Sequence, residues 1–161
     1  MTGKISTILY ATDLGPRAPE VFAVAAQLAR QTGAQIHIVH AVEPLSDYAH
    51  SLVDTYVPED VLESLRDENF AGVRQEVQRR LDQFCKDELQ ADTQATVADV
   101  YVEGGLPAEV ILDHADRIEA DIIILGSRGH TALGELLLGS VAHRVTMKAT
   151  TPVMLVPLKP R

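Results

Sequence analysis

The stretch DIIILGSRGHTALGELLLGSV, residues 121–141, carries two signals that together constrain the fold. Asp121 to Leu125 is a short aliphatic run without polar alternation, the pattern of a parallel strand covered on both faces. It leads directly into Gly126-Ser127-Arg128-Gly129, then nine residues, then Gly139-Ser140 and the helical stretch VAHRVTMKA. Closely spaced glycines after a strand let main-chain N–H groups approach an anion, and a helix N-terminus adds unpaired donors and the positive end of a dipole. Ser140 is expected either to cap that helix or to donate its hydroxyl to a phosphate oxygen, and Arg128 is the cation of the loop. The plainer reading of the same residues is a pair of turn glycines and an ordinary N-cap. Neither GxxxxGK[ST] nor GxGxxG occurs, so a Walker loop and a dinucleotide fingerprint are excluded.

Working outward, four more β-rich stretches read as strands: Ile5 to Ala11, Gln35 to Ala41, Ala95 to Val102 and Pro152 to Val156. The stretch Ala95 to Val102 alternates most, as a more exposed edge strand would. Helical stretches separate them. Pro19 to Thr32 turns Val21, Ala25, Leu28 and Ala29 to one face, with proline early and Gly33 just past the end. Pro107 to Ile118 does the same with Val110, Ile111 and Ala115. Pro58 to Gln90 is expected to be a longer helix, bent near Gly72, with Val73, Val77, Leu81 and Phe84 in one stripe. Glu43 to Val57 has no period and reads as a loop lying over a site. Regular β-α alternation predicts an α/β fold: an open five-stranded parallel sheet, order 3-2-1-4-5, with helices on both faces. In such a sheet the ligand crevice lies beyond the carboxyl ends of the first and fourth strands, where the order reverses. The loops that leave those strands are Thr12-Asp13-Leu14-Gly15 and Gly126-Ser127-Arg128-Gly129.

Composition narrows the function. At 161 residues the chain fits a single domain spanning 1–161, and 46% hydrophobic against 23% charged residues suits a folded one. A net charge of −9 repels phosphate backbones, and an aromatic share of 4% without Trp leaves few stacking platforms, so nucleic acid is not an expected partner. The single cysteine, Cys85, excludes an intramolecular disulfide and any multi-cysteine metal site, and with no visible export signal the reading is cytoplasmic. Apolar runs stop far short of the roughly 20 residues that span a bilayer.

The spacing glycine, two residues, glycine, nine residues, glycine, serine at Gly126, Gly129, Gly139 and Ser140, with Thr12-Asp13 after the first strand and His40-Ala41 closing the second, resembles the ATP-binding branch of the universal stress protein family, across essentially the whole chain. That resemblance implies an adenine nucleotide alpha hydrolase-like, Rossmann-type fold and a nucleotide-dependent stress-response or signalling module that binds ATP, any Mg²⁺ arriving with the phosphates. It implies that Ala11, Thr12 and Asp13 face the adenosine end and that main-chain atoms at Ala41 recognise adenine. It further implies that Gly126, Ser127, Arg128 and Gly129, with Gly139, Ser140 and Val141, hold the ribose and phosphates. Ala11 stands where proline often precedes Thr-Asp, and Ala41 where valine often follows the histidine; both alter bulk near adenine more than hydrogen bonding. Homodimerisation through the last strand is also implied, and that strand's edge position gives a physical reason for it.

The remaining residues are read more plainly. Asp13 alone can be an Asp that turns the chain out of a strand. His40 is expected to be a packed, hydrogen-bonded residue rather than a catalyst. His37, His50, His114, His130 and His143 show no paired metal-ligand spacing, so no protein-held metal is expected. Glu59, Asp60, Glu63, Asp67 and Glu68 suit a solvated helix face, and Cys85 a packed or partly exposed thiol. No catalytic residue is assigned, because the loops supply donors without an evident base beyond Asp13, leaving at most slow hydrolysis or autophosphorylation. The alternatives are an adenylating enzyme of a related adenosine-nucleotide α/β fold and an interaction scaffold whose glycine loop is empty.

Overall fold

The computed structural model describes residues 3–43, 58, 72, 75–88, 96–127 and 138–158. Five strands, β1 (Thr7–Ala11), β2 (Gln35–Val42), β3 (Thr96–Gly104), β4 (Ile122–Gly126) and β5 (Val153–Val156), form one sheet in the order β3-β2-β1-β4-β5. Every neighbouring pair is parallel. The helices are α1 (Ala18–Thr32), α2 over 75–88, α3 (Pro107–Arg117) and α4 (Ser140–Lys148). The predicted topology is therefore the observed one.

Two cores lie on the two faces of this sheet. One gathers Ile8, Tyr10, Ile36, Ile38 and Ile124 with Phe22 and Ala25 of α1 and Leu81 of α2. The other gathers Leu9, Val39, Ile123 and Leu125 with Ile111 and Ala115 of α3 and Val145 of α4. Strand residues alternate between the cores because successive side chains leave a strand on opposite faces. In α1 the buried set is Ala18, Val21, Phe22, Ala25, Ala26 and Ala29, whereas Leu28, expected inward, is only half-buried at the border of that face. Gly33 ends α1 in the left-handed region at φ 73°, its N–H donating to the Ala29 carbonyl at 2.7 Å, which is where a residue without Cβ is favoured.

Element ends differ from the sequence-based expectation for identifiable reasons. β1 starts at Thr7 rather than Ile5 because the Ser6 and Thr7 N–H groups donate to Asp121 Oδ2, at 2.8 and 2.9 Å, instead of entering the ladder. Those bonds hold the Asp121 carboxyl below its ordinary range and fix β4 against β1 at the end of the sheet away from the crevice. β3 runs to Gly104, two residues past the expected end, because the extended β2 pairs Ala41 with Glu103 and Val42 with Gly104. A bulge between Ile36 and His37 leaves Ala98 as the extra residue of β3 and lets Val97 and Val100, three apart, face the same core. Pro58 lies outside a helix, while residue 72 and residues 75–88 are helical; the rest of the predicted long helix, Val73 included, and the predicted loop beyond Glu43 lie outside the described residues. So do His50, His130 and the acidic set from Glu59 to Glu68. Cys85 is half-buried on α2, and burial followed by the nearby Asp82 charge pushes its thiol up to about 11.

His114 of α3 is an exception in the second core. It is 1% exposed, its ring centroid lies 4.0 Å from that of Tyr101 on β3, and neither ring nitrogen has a hydrogen-bond partner among the described residues. Tyr101 in turn contacts His37 of β2, with Nδ1 and the hydroxyl 3.3 Å apart. Burial, then the Arg117 and His37 charges, push the His114 pKa down, against an opposing contribution from Glu103. The fold therefore favours the neutral ring, and the stability it contributes is complete above the unfolded-state value near 6.5 and is lost as pH falls below it. His114→Leu is expected to raise the unfolding free energy by about 1 kcal/mol at pH 7, the cost of an unpaired buried polar group, and by more at pH 5. Urea titrations at the two pH values measure this; an equal gain at both removes the titration argument.

Candidate functional site

The register brings the predicted loops together. Tyr10 lies opposite Ile124, so Ala11-Thr12 and Leu125-Gly126 leave the sheet side by side at the point where strand order reverses. Ala11 and Thr12 are buried, at 8% and 7% exposure, while Asp13 is exposed.

The turn after β1 is built by its own polar side chains. Thr12 Oγ1 accepts the Leu14 N–H at 3.0 Å, and Asp13 Oδ1 accepts the Gly15 N–H at 2.8 Å. These are the local side-chain bonds that Thr and Asp offer a chain reversing direction. Leu14 adopts φ 56°, a left-handed conformation costly for a branched side chain and held here by the bonds on either side. The turn-forming reading of Asp13 is thus realised through one carboxylate oxygen. A cleft of about 350 Å³ separates this turn from α2, with Leu14, Gly15, Pro16, Arg79, Gln83 and Phe84 among its lining.

β2 overhangs β1, and that overhang gives Ala41 its character. In a parallel strand, the N–H and C=O of alternate residues point to the same neighbour. Thr12 N–H donates to the Val39 carbonyl and Gly105 N–H to the Val42 carbonyl, both at 3.0 Å, so Val39 faces β1 and Val42 faces β3. By that alternation the Ala41 N–H and C=O face β1's side, past its last residue, where the sheet has no strand to receive them. One donor and one acceptor, side by side on the main chain, border the crevice. His40, with the opposite orientation, is half-buried, and its Nδ1 lies 2.8 Å from the Thr12 carbonyl oxygen.

On the other wall, Ser127 uses all three of its polar groups. Its N–H donates to the Val156 carbonyl at 2.9 Å, its Oγ accepts the Leu158 N–H at 3.0 Å, and its carbonyl accepts the Gly139 N–H at 2.8 Å. The start of the glycine loop, the end of β5 and the start of α4 are tied at one residue. This corrects the expected cap at Ser140: Gly139 is the N-cap, with extended ψ 149°, and Ser140 is the first helical residue and makes no capping side-chain bond. The physical reason is that a serine caps from outside the helix, whereas Ser140 already has helical geometry. The first intrahelical donor is His143, to the Gly139 carbonyl at 2.9 Å, so the N–H groups of Ser140, Val141 and Ala142 have no intrahelical partner. Ser140 is exposed and Val141 half-buried against the second core. Arg128 and Gly129 lie outside the described residues.

The arrangement brings Ala11, Thr12, Asp13, Ala41, Gly126, Ser127, Gly139, Ser140 and Val141 to one end of the sheet. It offers main-chain donors, one exposed carboxylate and a serine hydroxyl, a set suited to holding an anion beside a planar hydrogen-bonding group. Among the described residues, no group of three His, Cys, Asp or Glu is placed to hold a metal ion, and no helix is long and apolar enough to cross a membrane. Sequence reasoning did not reveal the Ser127 junction or the contact from His40 to Thr12. Both join segments distant in the chain, and neither leaves a local pattern.

The model of the universal stress protein family matches residues 4–157. A universal stress protein of Thermus aquaticus, encoded beside a QAH/OAS sulfhydrylase, is 36% identical over 152 residues, covering 93% of this chain and 97% of that one. Among solved structures, that of MJ0577, a protein from Methanocaldococcus jannaschii, superposes with a TM-score of 0.79 at 25% identity over 99% of this chain and 100% of its own. A universal stress protein solved in complex with cAMP superposes with a TM-score of 0.62 at 21% identity, over 96% and 98% of the two chains.

Proposed function

The chain belongs to the universal stress protein family, and from that premise we propose that it is an ATP-binding stress-response or signalling module. The observation that carries the reading is the pairing of two sets of main-chain groups across one crevice: the N–H and C=O of Ala41, which have no partner among the described residues, on one side, and the first turn of α4, whose N–H groups have no intrahelical partner, on the other. A parallel-strand overhang presents the adjacent acceptor and donor that complement the N6 amine and N1 of adenine. A helix N-terminus suits phosphate. The adenine nucleotide in the cAMP-bound relative supports the same chemistry.

In this reading Ala11, Thr12 and Asp13 border the adenosine, Ala41 reads adenine, and Gly126 to Gly129 with Gly139 to Val141 hold ribose and phosphates. Mg²⁺ comes with the phosphates. The sheet and helices from β1 to β5 act as a single domain, and two copies pair through β5. Mass spectrometry of small molecules released on denaturing the purified protein, followed by calorimetric titration of the emptied protein with ATP, tests this. Micromolar or tighter binding is expected, and no heat with ATP, ADP or AMP overturns it.

Turnover is expected to stay well below the enzyme median of about 10 per second, because among the described residues the crevice offers donors and one carboxylate but no second group to orient a nucleophile. Multiple-turnover phosphate release at or above that median would shift the reading to the adenylating or ATPase class.

A further inference from the structure

We propose that His40 is a positioning residue that sets the Asp13 turn at a fixed separation from the main chain of Ala41. The inference rests on reading the crevice as the nucleotide site, and it identifies which side chain gives that site its width.

The chemistry of the contact is unambiguous about direction. A carbonyl oxygen can only accept, so the 2.8 Å contact between His40 Nδ1 and the Thr12 oxygen requires the proton on Nδ1. Thr12 is consequently held by β2 at both main-chain groups: its N–H by the Val39 carbonyl at 3.0 Å, its C=O by His40. Beyond that residue the turn is bonded to itself, through Thr12 Oγ1 to Leu14 N–H and Asp13 Oδ1 to Gly15 N–H, and Leu14 sits at φ 56°. The Thr12–Asp13 peptide therefore joins the residue fixed by the sheet to a turn held by these short-range bonds and by the packing of Leu14 against the first core. Its orientation decides where the Asp13 carboxylate points, and His40 is the side chain that holds it. The same residue is covalently next to Ala41, so one hydrogen bond joins both elements of the proposed adenosine pocket.

Without that donor, the Thr12 carbonyl, in a residue only 7% exposed, is left unpaired and the peptide can rotate to recover a partner. Asparagine at this position keeps a donor, since its Nδ2 stands two bonds from Cβ as Nδ1 does in histidine. Leucine removes the donor while keeping bulk.

The test compares the parent with His40→Leu and His40→Asn by amide hydrogen exchange of the ligand-free proteins and by calorimetric titration with ATP. For His40→Leu, exchange at Leu14 and Gly15 is expected to rise about tenfold and the ATP Kd to weaken about tenfold, with His40→Asn within about threefold of the parent in both. Should His40→Leu not fold, His40→Phe, which keeps a ring without a donor, takes its place. Unchanged exchange, an unchanged Kd in a donor-free variant, or an asparagine variant as impaired as the leucine one each overturns the proposal. A parent that binds no ATP defeats the nucleotide reading instead, and the exchange comparison still decides whether His40 holds the turn.

Discussion

Ser140→Pro is expected to fold normally and lose most of its affinity for ATP. Proline is tolerated at the first position of a helix, where its missing N–H has no intrahelical partner. The residue before it must be extended, and Gly139, at φ −58° and ψ 149°, already is. The variant thus deletes the Ser140 N–H and hydroxyl together without disturbing α4. Hydrogen bonds to a charged phosphate are worth about 1.5–3 kcal/mol each, so the loss of two should weaken binding by about a hundredfold or more. Ser140→Ala, which deletes only the hydroxyl, should cost about tenfold. Calorimetry on both variants, with thermal melts as the folding control, separates the main-chain contribution from that of the side chain. Equal ATP affinity in the parent and in a folded Ser140→Pro variant would remove α4 from the phosphate site.

The parent is expected to be a dimer at micromolar concentration, and Leu155→Lys a monomer. β5 is an edge strand. Its inner side is occupied, since the Ile123 N–H donates to the Pro152 carbonyl and the Ser127 N–H to that of Val156, both at 2.9 Å. By strand alternation the N–H and C=O of Val153 and Leu155 point outward, an unpaired row that a second copy can pair antiparallel about a twofold axis. Val153, Met154 and Leu155 are only half-buried in one chain, leaving apolar surface for that contact. A lysine at 155 sets two like charges near each other across the axis. Leu155→Pro tests the ladder itself, because it removes an outward N–H and leaves the pairing with β4 intact. Light scattering is expected to show at least a hundredfold weaker association for both variants, with circular dichroism confirming the fold. A monomeric parent, or variants that stay fully dimeric, would place the interface elsewhere or nowhere.

The sheet order and the location of the crevice were legible in the sequence because they depend on patterns repeated along the chain. DIIIL and its fellow strands are apolar on both faces, helices separate them, and right-handed crossovers then leave few arrangements. The glycine spacing from Gly126 to Ser140 and the Thr12-Asp13 pair likewise announce themselves within short windows, as does Gly33 at the end of α1. Element ends were less legible, because a strand stops where its partner or a competing acceptor decides. Asp121, remote from Ser6 in the chain, shortened β1, and the length of β2 extended β3.

Sequence by itself determined what kinds of groups meet at the crevice: alternation of short apolar strands with amphipathic helices is a local property, and local properties are written residue by residue. Tertiary structure alone decided which of those groups are available. The Gly139 N–H is taken by the Ser127 carbonyl, Ser140 stands inside its helix instead of capping it, and the Ala41 main chain has no partner among the described residues because β1 ends before β2 does. His40 became the tether of Thr12, by a contact between residues 28 positions apart, and His114 was left without a hydrogen-bond partner among the described residues, by burial of its helix against Tyr101 of the sheet. Each of these is a competition for hydrogen bonds among groups brought together only when the chain closes on itself, and no window of sequence records its outcome.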